Sequence, residues 1–169
     1  SESARRDSLT GLMNPAGIDL TLSQLIEDAA TEGRRFALAV VDIDHFKPLN
    51  DNYGHQIGDE ILRTLGRILL ASARSGDVVG RVGGDEFVVI MPDTVDEVAE
   101  EIAARMCVAA REHDLRHVLG NDVLGGLTVS IGIAGHRSGD SISSLFERAD
   151  KALYSAKSAG RNRVALASN

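Results

Sequence analysis

The sequence predicts an α+β domain in which helices pack on a mostly antiparallel sheet. Three observations carry that reading. The run Phe36-Ala37-Leu38-Ala39-Val40-Val41-Asp42-Ile43 is apolar almost throughout, as a central strand buried on both faces should be. Two β-rich runs, Val78–Val82 and Glu86–Met91, flank Gly83-Gly84-Asp85 and read as a hairpin. Segments with helical spacing separate these strands, so helices must cover the sheet. The chain has 169 residues, about one domain.

The elements follow in order. Asn14 is a good N-cap and Pro15 suits the first helical position, and Ile18, Leu22, Leu25 and Ala29 then recur at helical spacing. After the apolar strand, a second helix is predicted from about Gln56 to Ala73, with Ile57, Ile61, Leu65, Ile68 and Leu69 on one face and Gly76 as its stop. After the hairpin, Thr94-Val95-Asp96-Glu97 has the form of a capping box opening a third helix through Val98, Ile102 and Met106. The segment 113–126 reads as a loop or short hairpin. Leu127 to Ala134 alternates Leu, Val, Ile, Ile against Thr, Ser, Gly, Ala, the pattern of a half-buried strand. A last helix is expected from about Ser141 to Ala159 with Gly160 as stop, and Arg163 to Ala167 as a closing strand.

Composition limits the function. Lys and Arg number 18 against 25 Asp and Glu, a formal charge of −7, which argues against a DNA- or RNA-binding surface. The single cysteine, Cys107, excludes an internal disulfide framework and fits a reducing, cytoplasmic setting. No apolar run approaches the ~18 residues of a membrane helix. The domain itself is thus expected to make no membrane contact, although upstream segments could tether it. The start, Ser1-Glu2-Ser3-Ala4-Arg5-Arg6-Asp7, has no signal-peptide pattern and no initiator Met, so a piece of a longer protein is expected.

Two acids stand out. Asp42 closes the most apolar strand, where a carboxylate is costly unless paired or bound to a cation. Asp85 follows two glycines at a hairpin tip, where missing side chains leave room for a ligand. Taken singly, Asp42 could cap a helix or pair with a lysine, and Asp85 could be a solvated turn residue. Taken together, two acids at neighbouring strand ends form a hard-oxygen site for Mg²⁺ with open positions for phosphate, the layout of metal-assisted phosphoryl transfer.

These residues belong to a larger pattern. Arg81-Val82-Gly83-Gly84-Asp85-Glu86-Phe87 contains a Gly-Gly-Asp-Glu-Phe signature. Around it, in order, stand Asp7-Ser8-Leu9-Thr10-Gly11-Leu12-Met13-Asn14, Asp42-Ile43-Asp44-His45-Phe46-Lys47, Asn50-Asp51-Asn52-Tyr53-Gly54-His55 with Gly58-Asp59, and Thr128 to Ala134. Ala149-Asp150-Lys151-Ala152-Leu153-Tyr154, Lys157 and Gly160-Arg161-Asn162-Arg163 complete it. The chain resembles the GGDEF family of diguanylate cyclase domains from about Asp7 to Val164. The resemblance implies one domain over residues 1–169, a nucleotide-cyclase and polymerase-palm-like βαββαβ core, and a longer protein whose upstream sensory or regulatory part controls it. It also implies a reaction in which two GTP condense to cyclic di-GMP and two pyrophosphates. Each domain would hold one GTP, so the working species would be a homodimer of half-sites.

The resemblance carries roles onto matching positions. Asp42, the Ile43 carbonyl and Asp85 correspond to Mg²⁺ ligands, two ions per half-site, with Mn²⁺ as a substitute of the same class. Asp85 and Glu86 are candidates for the general base, and the choice stays open. Gly83 and Gly84 let the backbone approach phosphate. Lys47, Lys157 and Arg161 correspond to triphosphate ligands, Lys47 being the one to stabilise transition-state charge. Asn50 and Asp59 correspond to guanine readers, and His55, Phe46 and Leu9 to pocket-shaping residues. Arg74-Ser75-Gly76-Asp77, five residues before Gly83, matches the family's product-inhibition site, with Arg105 as a secondary arginine. Residues read alone give plainer alternatives: Lys157, Arg161 and Arg74 as cations at helix C-termini, and Asp59 as a first-turn helix acid. Pro15 departs from the pattern, which has Arg after Asn. A catalytically silent module sensing cyclic di-GMP or GTP is the alternative reading. His113, His117, His136 and Cys107 have no metal-ligand spacing.

Overall fold

The computed structural model describes residues 2–121 and 126–168. Five strands form one sheet in the order β2-β3-β1-β4-β5. The central strand β1 (Phe36–Ile43) is antiparallel to β3 (Glu86–Pro92) on one side and to β4 (Val129–Gly135) on the other. Outer strand β2 (Val78–Gly83) pairs antiparallel with β3, whereas β5 (Arg163–Leu166) runs parallel to β4. The sheet is thus mixed, with three antiparallel pairings and one parallel. β1 is buried on both faces, as its continuous apolar run predicts.

The period-2 geometry of β1 sends its side chains alternately into two cores. Ala39, Val41 and Ile43 pack with Phe87, Val89, Met91 and Ile131 beneath α3 (His55–Ser72) and α4 (Asp96–Glu112). Leu38 and Val40 pack with Val88 and Ile90 beneath α1 (Pro15–Glu32) and α6 (Ile142–Ser158). Two helical layers therefore clasp the sheet, and the odd-even register of β1 decides which side chain faces which layer.

The helix starts show local chemistry. The Asn14 side chain accepts from the Gly17 backbone N–H at 3.1 Å, and Pro15 follows it, as the sequence predicts. At α4 the expected capping box does not form. Val95 occupies the N-cap, because the Thr94 hydroxyl donates to the Pro92 carbonyl and is bonded by Arg74. A capping box is instead built at α6 by Ser141 and Ser144, each side chain accepting from the other's backbone N–H. α3 ends at Ser72 with Ala73 extended, so Gly76 does not stop the helix; it turns the chain at φ 93° between Arg74 and Asp77.

Three further differences have physical causes. Residues after β1 form a helix, α2 (Phe46–Tyr53), where the sequence shows only a motif and no apolar periodicity; this helix has no fully buried residue. The segment 113–126, read as a loop or short hairpin, is irregular in its described part except for a one-turn helix, α5 (Arg116–Leu119); positions 122–125 lie outside the described residues. β4 is buried on both faces, not half-buried. Its small residues are covered by α6: a Cβ on Gly132 would lie 2.2 Å from both the Ala149 carbonyl oxygen and the Leu153 nitrogen. The alternation in β4 encodes close helix approach, not exposure. Among the described residues no helix is long and apolar enough to cross a membrane.

Candidate active site

β1 and β3 deliver the site's acids. In their antiparallel register Asp42 stands opposite Glu86, so both side chains lie on the face covered by α6. The β2–β3 connection is the two-residue turn Gly84-Asp85, with Gly83 opposite Glu86 and an irregularity in register between Arg81 and Gly83. Gly84 has φ 52°, a left-handed value that favours glycine at this hairpin position. The turn brings Asp85 beside Asp42. Burial pushes the Asp85 carboxyl up to about 6, with the hydrogen bond and negative charge of Asp42 adding to the rise and Lys157 opposing it. Burial also raises Glu86, helped by the charges of Asp150 and Asp42. Burial raises Asp150 as well.

Among the described residues one cation is bonded to these acids. Lys157, from the last turn of α6, donates through Nζ to Asp42 Oδ2. Asp42 Oδ1 is buried and, among the described residues, no hydrogen-bond donor serves it while Asp85 is ionised. An orphaned carboxylate oxygen in a cluster of four acids with one lysine is short of positive charge. Two carboxylates and a strand-end carbonyl are hard oxygen donors, the set that Mg²⁺ takes, so the residues present fit a divalent cation. No group of three or more acid, His or Cys side chains among the described residues is closed enough to hold a metal alone.

A second cluster forms where α2 meets α3. Asn50 Nδ2 lies 3.2 Å from His55 Nδ1, and Asp59 sits one turn further along α3, half-buried and, among the described residues, without a side-chain hydrogen bond. Gly58 makes this packing possible: a Cβ there would lie 2.0 Å from Asn50 Oδ1 and 3.5 Å from Phe46 Cζ. Asn50, Asp59, His55 and Phe46 are thus brought together. Lys47 is not drawn into the acids; it is highly exposed and pairs with Asp51 at 3.1 Å. Arg161, in a left-handed turn after α6, is exposed.

The third set lies at the far end of α3. Arg74 donates from Nε and Nη2 to the two Asp77 carboxylate oxygens at 3.2 and 3.0 Å, and its backbone N–H donates to the same acid at 2.8 Å. The Asp77 side chain is only 1 % exposed, whereas Arg74 retains 36 %. Arg105 Nη2 reaches across from α4 to donate to the Ser72 carbonyl at 2.6 Å, which places it beside this pair.

Sequence reasoning misses three residues of the framework. Asp44 is a buried acid satisfied by Thr128 Oγ1 at 2.9 Å, Ser130 Oγ at 2.7 Å and the Asn162 N–H at 3.0 Å. It ties the ends of β1 and β4 to the turn before β5. Arg81 ties the opening turn to the hairpin. Asp150 joins the acid cluster from α6; its seven-residue spacing from Lys157, two helical turns, is the signal that could have found it.

Comparison with known proteins gives a consistent result. The family described as "Diguanylate cyclase, GGDEF domain" matches residues 4–163. Diguanylate cyclase VdcA of Vibrio cholerae is 39% identical over 158 residues, covering 94% of this chain and 45% of that protein. Response regulator PleD of Caulobacter vibrioides is 41% identical over 166 residues, covering 96% of this chain and 36% of that protein. The chain thus spans less than half the length of these relatives. The solved GGDEF domain of DgcB from Caulobacter crescentus, in complex with c-di-GMP, superposes with a TM-score of 0.92 at 38% identity, covering 98% of this chain and 94% of that one.

Proposed function

The chain belongs to the GGDEF family of diguanylate cyclase domains, and on that premise we propose that it condenses two GTP into cyclic di-GMP and two pyrophosphates. The observation that carries this reading is the buried, unpartnered Asp42 Oδ1 beside the raised Asp85 carboxyl, a carboxylate pair short of cations where a triphosphate and its metal would enter.

Asp42, the Ile43 carbonyl and Asp85 would hold the divalent cation. Mg²⁺, two per half-site, or Mn²⁺ in its place, would neutralise phosphate charge and lower the pKa of the attacking hydroxyl. Gly83 and Gly84 keep side chains away from the phosphates. Lys157 and Arg161 hold the triphosphate, and Lys157 must exchange Asp42 for phosphate to do so. Lys47, free to swing from the surface, meets charge that grows in the transition state. Asn50 and Asp59 read the guanine edge, and a base lacking its N–H donors would leave the Asp59 carboxylate unsatisfied. Asp85 or Glu86 takes the 3′-hydroxyl proton; burial raises both carboxyls above their ordinary values, which suits a general base.

One hairpin serves one nucleotide, so the second GTP comes on a second copy and the working species is a homodimer. Cyclic di-GMP returns as an inhibitor at Arg74, Asp77 and Arg105. Arg74 is the accessible member of that set; Asp77 reads guanine only when its bonds to Arg74 open. An upstream part of the longer protein controls dimer formation, and the domain works in the cytoplasm.

Purified protein incubated with GTP and Mg²⁺, with products separated by chromatography, tests this. Cyclic di-GMP should form at a rate rising more steeply than linearly with protein concentration. Asp42→Asn and Asp85→Asn should abolish turnover while circular dichroism stays unchanged. GTP bound without product at high protein concentration would leave the silent sensing module as the function.

A further inference from the structure

The turn that presents Arg161 is strained. After α6 the chain passes through Gly160 at φ 124°, Arg161 at φ 63° and Asn162 at φ 49° before it enters β5. Two successive left-handed residues with side chains persist only where surrounding contacts over-determine them, and such places gather at ligand clamps. Here the contacts come from both sides. On the α6 side, the Arg161 N–H donates to the Ala156 carbonyl at 3.0 Å and the Gly160 N–H to the Lys157 carbonyl at 3.3 Å. On the other side, the Asn162 N–H donates to Asp44 Oδ2 at 3.0 Å, and Arg111 Nη1 of α4 donates to Asn162 Oδ1 at 3.3 Å. Arg161 itself is exposed, and its guanidinium has no partner among the described residues.

Asp44 is the fixed end of this arrangement. It is the first residue after β1 and is only 7 % exposed. Its own N–H donates to the Thr128 carbonyl at 3.0 Å. Its carboxylate accepts from Thr128 Oγ1 at 2.9 Å and from Ser130 Oγ at 2.7 Å, so it is anchored to the start of β4 before it reaches Asn162. Asp44 stands two positions beyond Asp42. It therefore sets where the Arg161 turn stands relative to the strand end that carries Asp42.

A guanidinium binds phosphate oxygens as a planar fork, so its direction matters as much as its charge. A small misplacement by a residue far from the ligand is enough to lose the contact. We propose that Asp44 is a positioning residue for triphosphate binding: by holding the left-handed turn at Asn162 it aims Arg161 at the phosphates of the bound nucleotide. Asp44 acts through Arg161 and touches no substrate. The inference rests on the reading of Arg161 as a triphosphate ligand.

Titration calorimetry with Mg²⁺ tests this, using two probes. One is a GTP analogue with a methylene bridge between the α and β phosphates, which cannot release pyrophosphate; the other is GMP, which lacks the outer phosphates. Asp44→Ala should weaken the analogue about tenfold, as loss of a charge-assisted contact implies, and leave GMP unchanged. Arg161→Ala should do the same, and the double variant should bind no more weakly than Arg161→Ala alone. Asp44→Asn should keep the wild-type affinity, because its amide oxygen can serve Thr128 and Asn162 while its nitrogen faces Ser130 Oγ. Were the acid's charge the cause, both Asp44 variants would bind the analogue more tightly than wild type. Should Asp44→Ala fail to fold, Asn162→Val and Asn162→Gly replace it. Both keep the N–H and lose the bond from Arg111, but only valine opposes the left-handed turn, so only valine should weaken the analogue. Wild-type or tighter binding in Asp44→Ala, or in Asn162→Val where that variant stands in, overturns the positioning role, as does an additive double variant. Wild-type binding in Arg161→Ala would overturn the reading of Arg161 as a triphosphate ligand, and the positioning role with it.

Discussion

Asp7 and Arg81, 74 positions apart, are joined by two hydrogen bonds, Arg81 Nη1 donating to Asp7 Oδ1 at 3.1 Å and to Oδ2 at 3.2 Å. The same guanidinium donates from Nε and Nη2 to the Gly84 carbonyl at 3.0 and 2.9 Å. Asp7 in turn holds the opening turn through the Thr10 hydroxyl at 2.7 Å and the Thr10 N–H at 2.9 Å. One arginine therefore connects the turn through which the chain enters the domain to the tip of the hairpin that carries Asp85. Both side chains are mostly buried, at 15 % and 17 % exposure, so the pair is shielded from solvent screening more than a surface ion pair.

Asp7→Ala should therefore cost about 2 kcal/mol, the loss of a partly buried charge-assisted bond with its partner left behind. Equilibrium unfolding in urea measures it. Burial pulls the Asp7 carboxyl up, but the hydrogen bonds from Thr10 and the contact with Arg81 hold it below its ordinary value. Its contribution is accordingly present above the unfolded-state pKa near 3.8 and is lost as pH falls through the lower folded value. The variant and wild type should converge in stability at acid pH.

Asp85 gives the opposite sign. Its folded carboxyl titrates near 6 and its unfolded one near 3.8, so the folded state holds the proton more tightly. Metal-free protein should lose stability as pH rises from about 4 to 6 and level off above. Asp85→Asn should flatten that slope and raise the melting temperature at neutral pH by a few degrees, since one kcal/mol moves a domain of this size by roughly 2–4 °C. Scanning calorimetry across pH in the presence of chelator decides it; a wild-type curve without this slope would mean that burial and the neighbouring Asp42 do not hold the proton on Asp85.

Gly58→Ala should separate substrate recognition from folding. Alanine favours helix over glycine by about 1 kcal/mol, so stability should change little. Its Cβ would displace Asn50 from a position 2.0 Å away. The Michaelis constant for GTP should rise about tenfold, as loss of a good hydrogen bond to a base implies, with a smaller change in turnover number. Steady-state kinetics with GTP provides the measurement, and an unchanged Michaelis constant would take Asn50 out of the nucleotide site.

Arg74→Ala should relieve product inhibition without lowering the initial rate, measured as progress curves with and without added cyclic di-GMP. A stability cost of about 1–3 kcal/mol should accompany it, because the arginine satisfies the buried Asp77 carboxylate and bonds Thr94. Inhibition that survives the change would move that role elsewhere.

Much of the fold is determined by local chemistry. The unbroken apolar run of β1 requires burial on both faces, Asn14-Pro15 starts a helix wherever it stands, and Gly83-Gly84 permits a tight turn. The ordered motifs nominate the residues proposed to carry function, because two acids and two glycines at neighbouring strand ends together suit a cation and a phosphate. The tertiary structure decided what depends on contact between distant segments. α2 has too few apolar residues to announce itself and forms where it can pack on α3. Thr94 looks like a helix cap until Arg74, 20 positions earlier, claims its hydroxyl. Asp44 and Asp42 are the same residue type two positions apart, yet Thr128, Ser130 and Asn162 consume the oxygens of Asp44, while among the described residues one oxygen of Asp42 has no donor when Asp85 is ionised. Residue type sets what a carboxylate can bind; only the folded neighbourhood sets whether anything is left for it to bind.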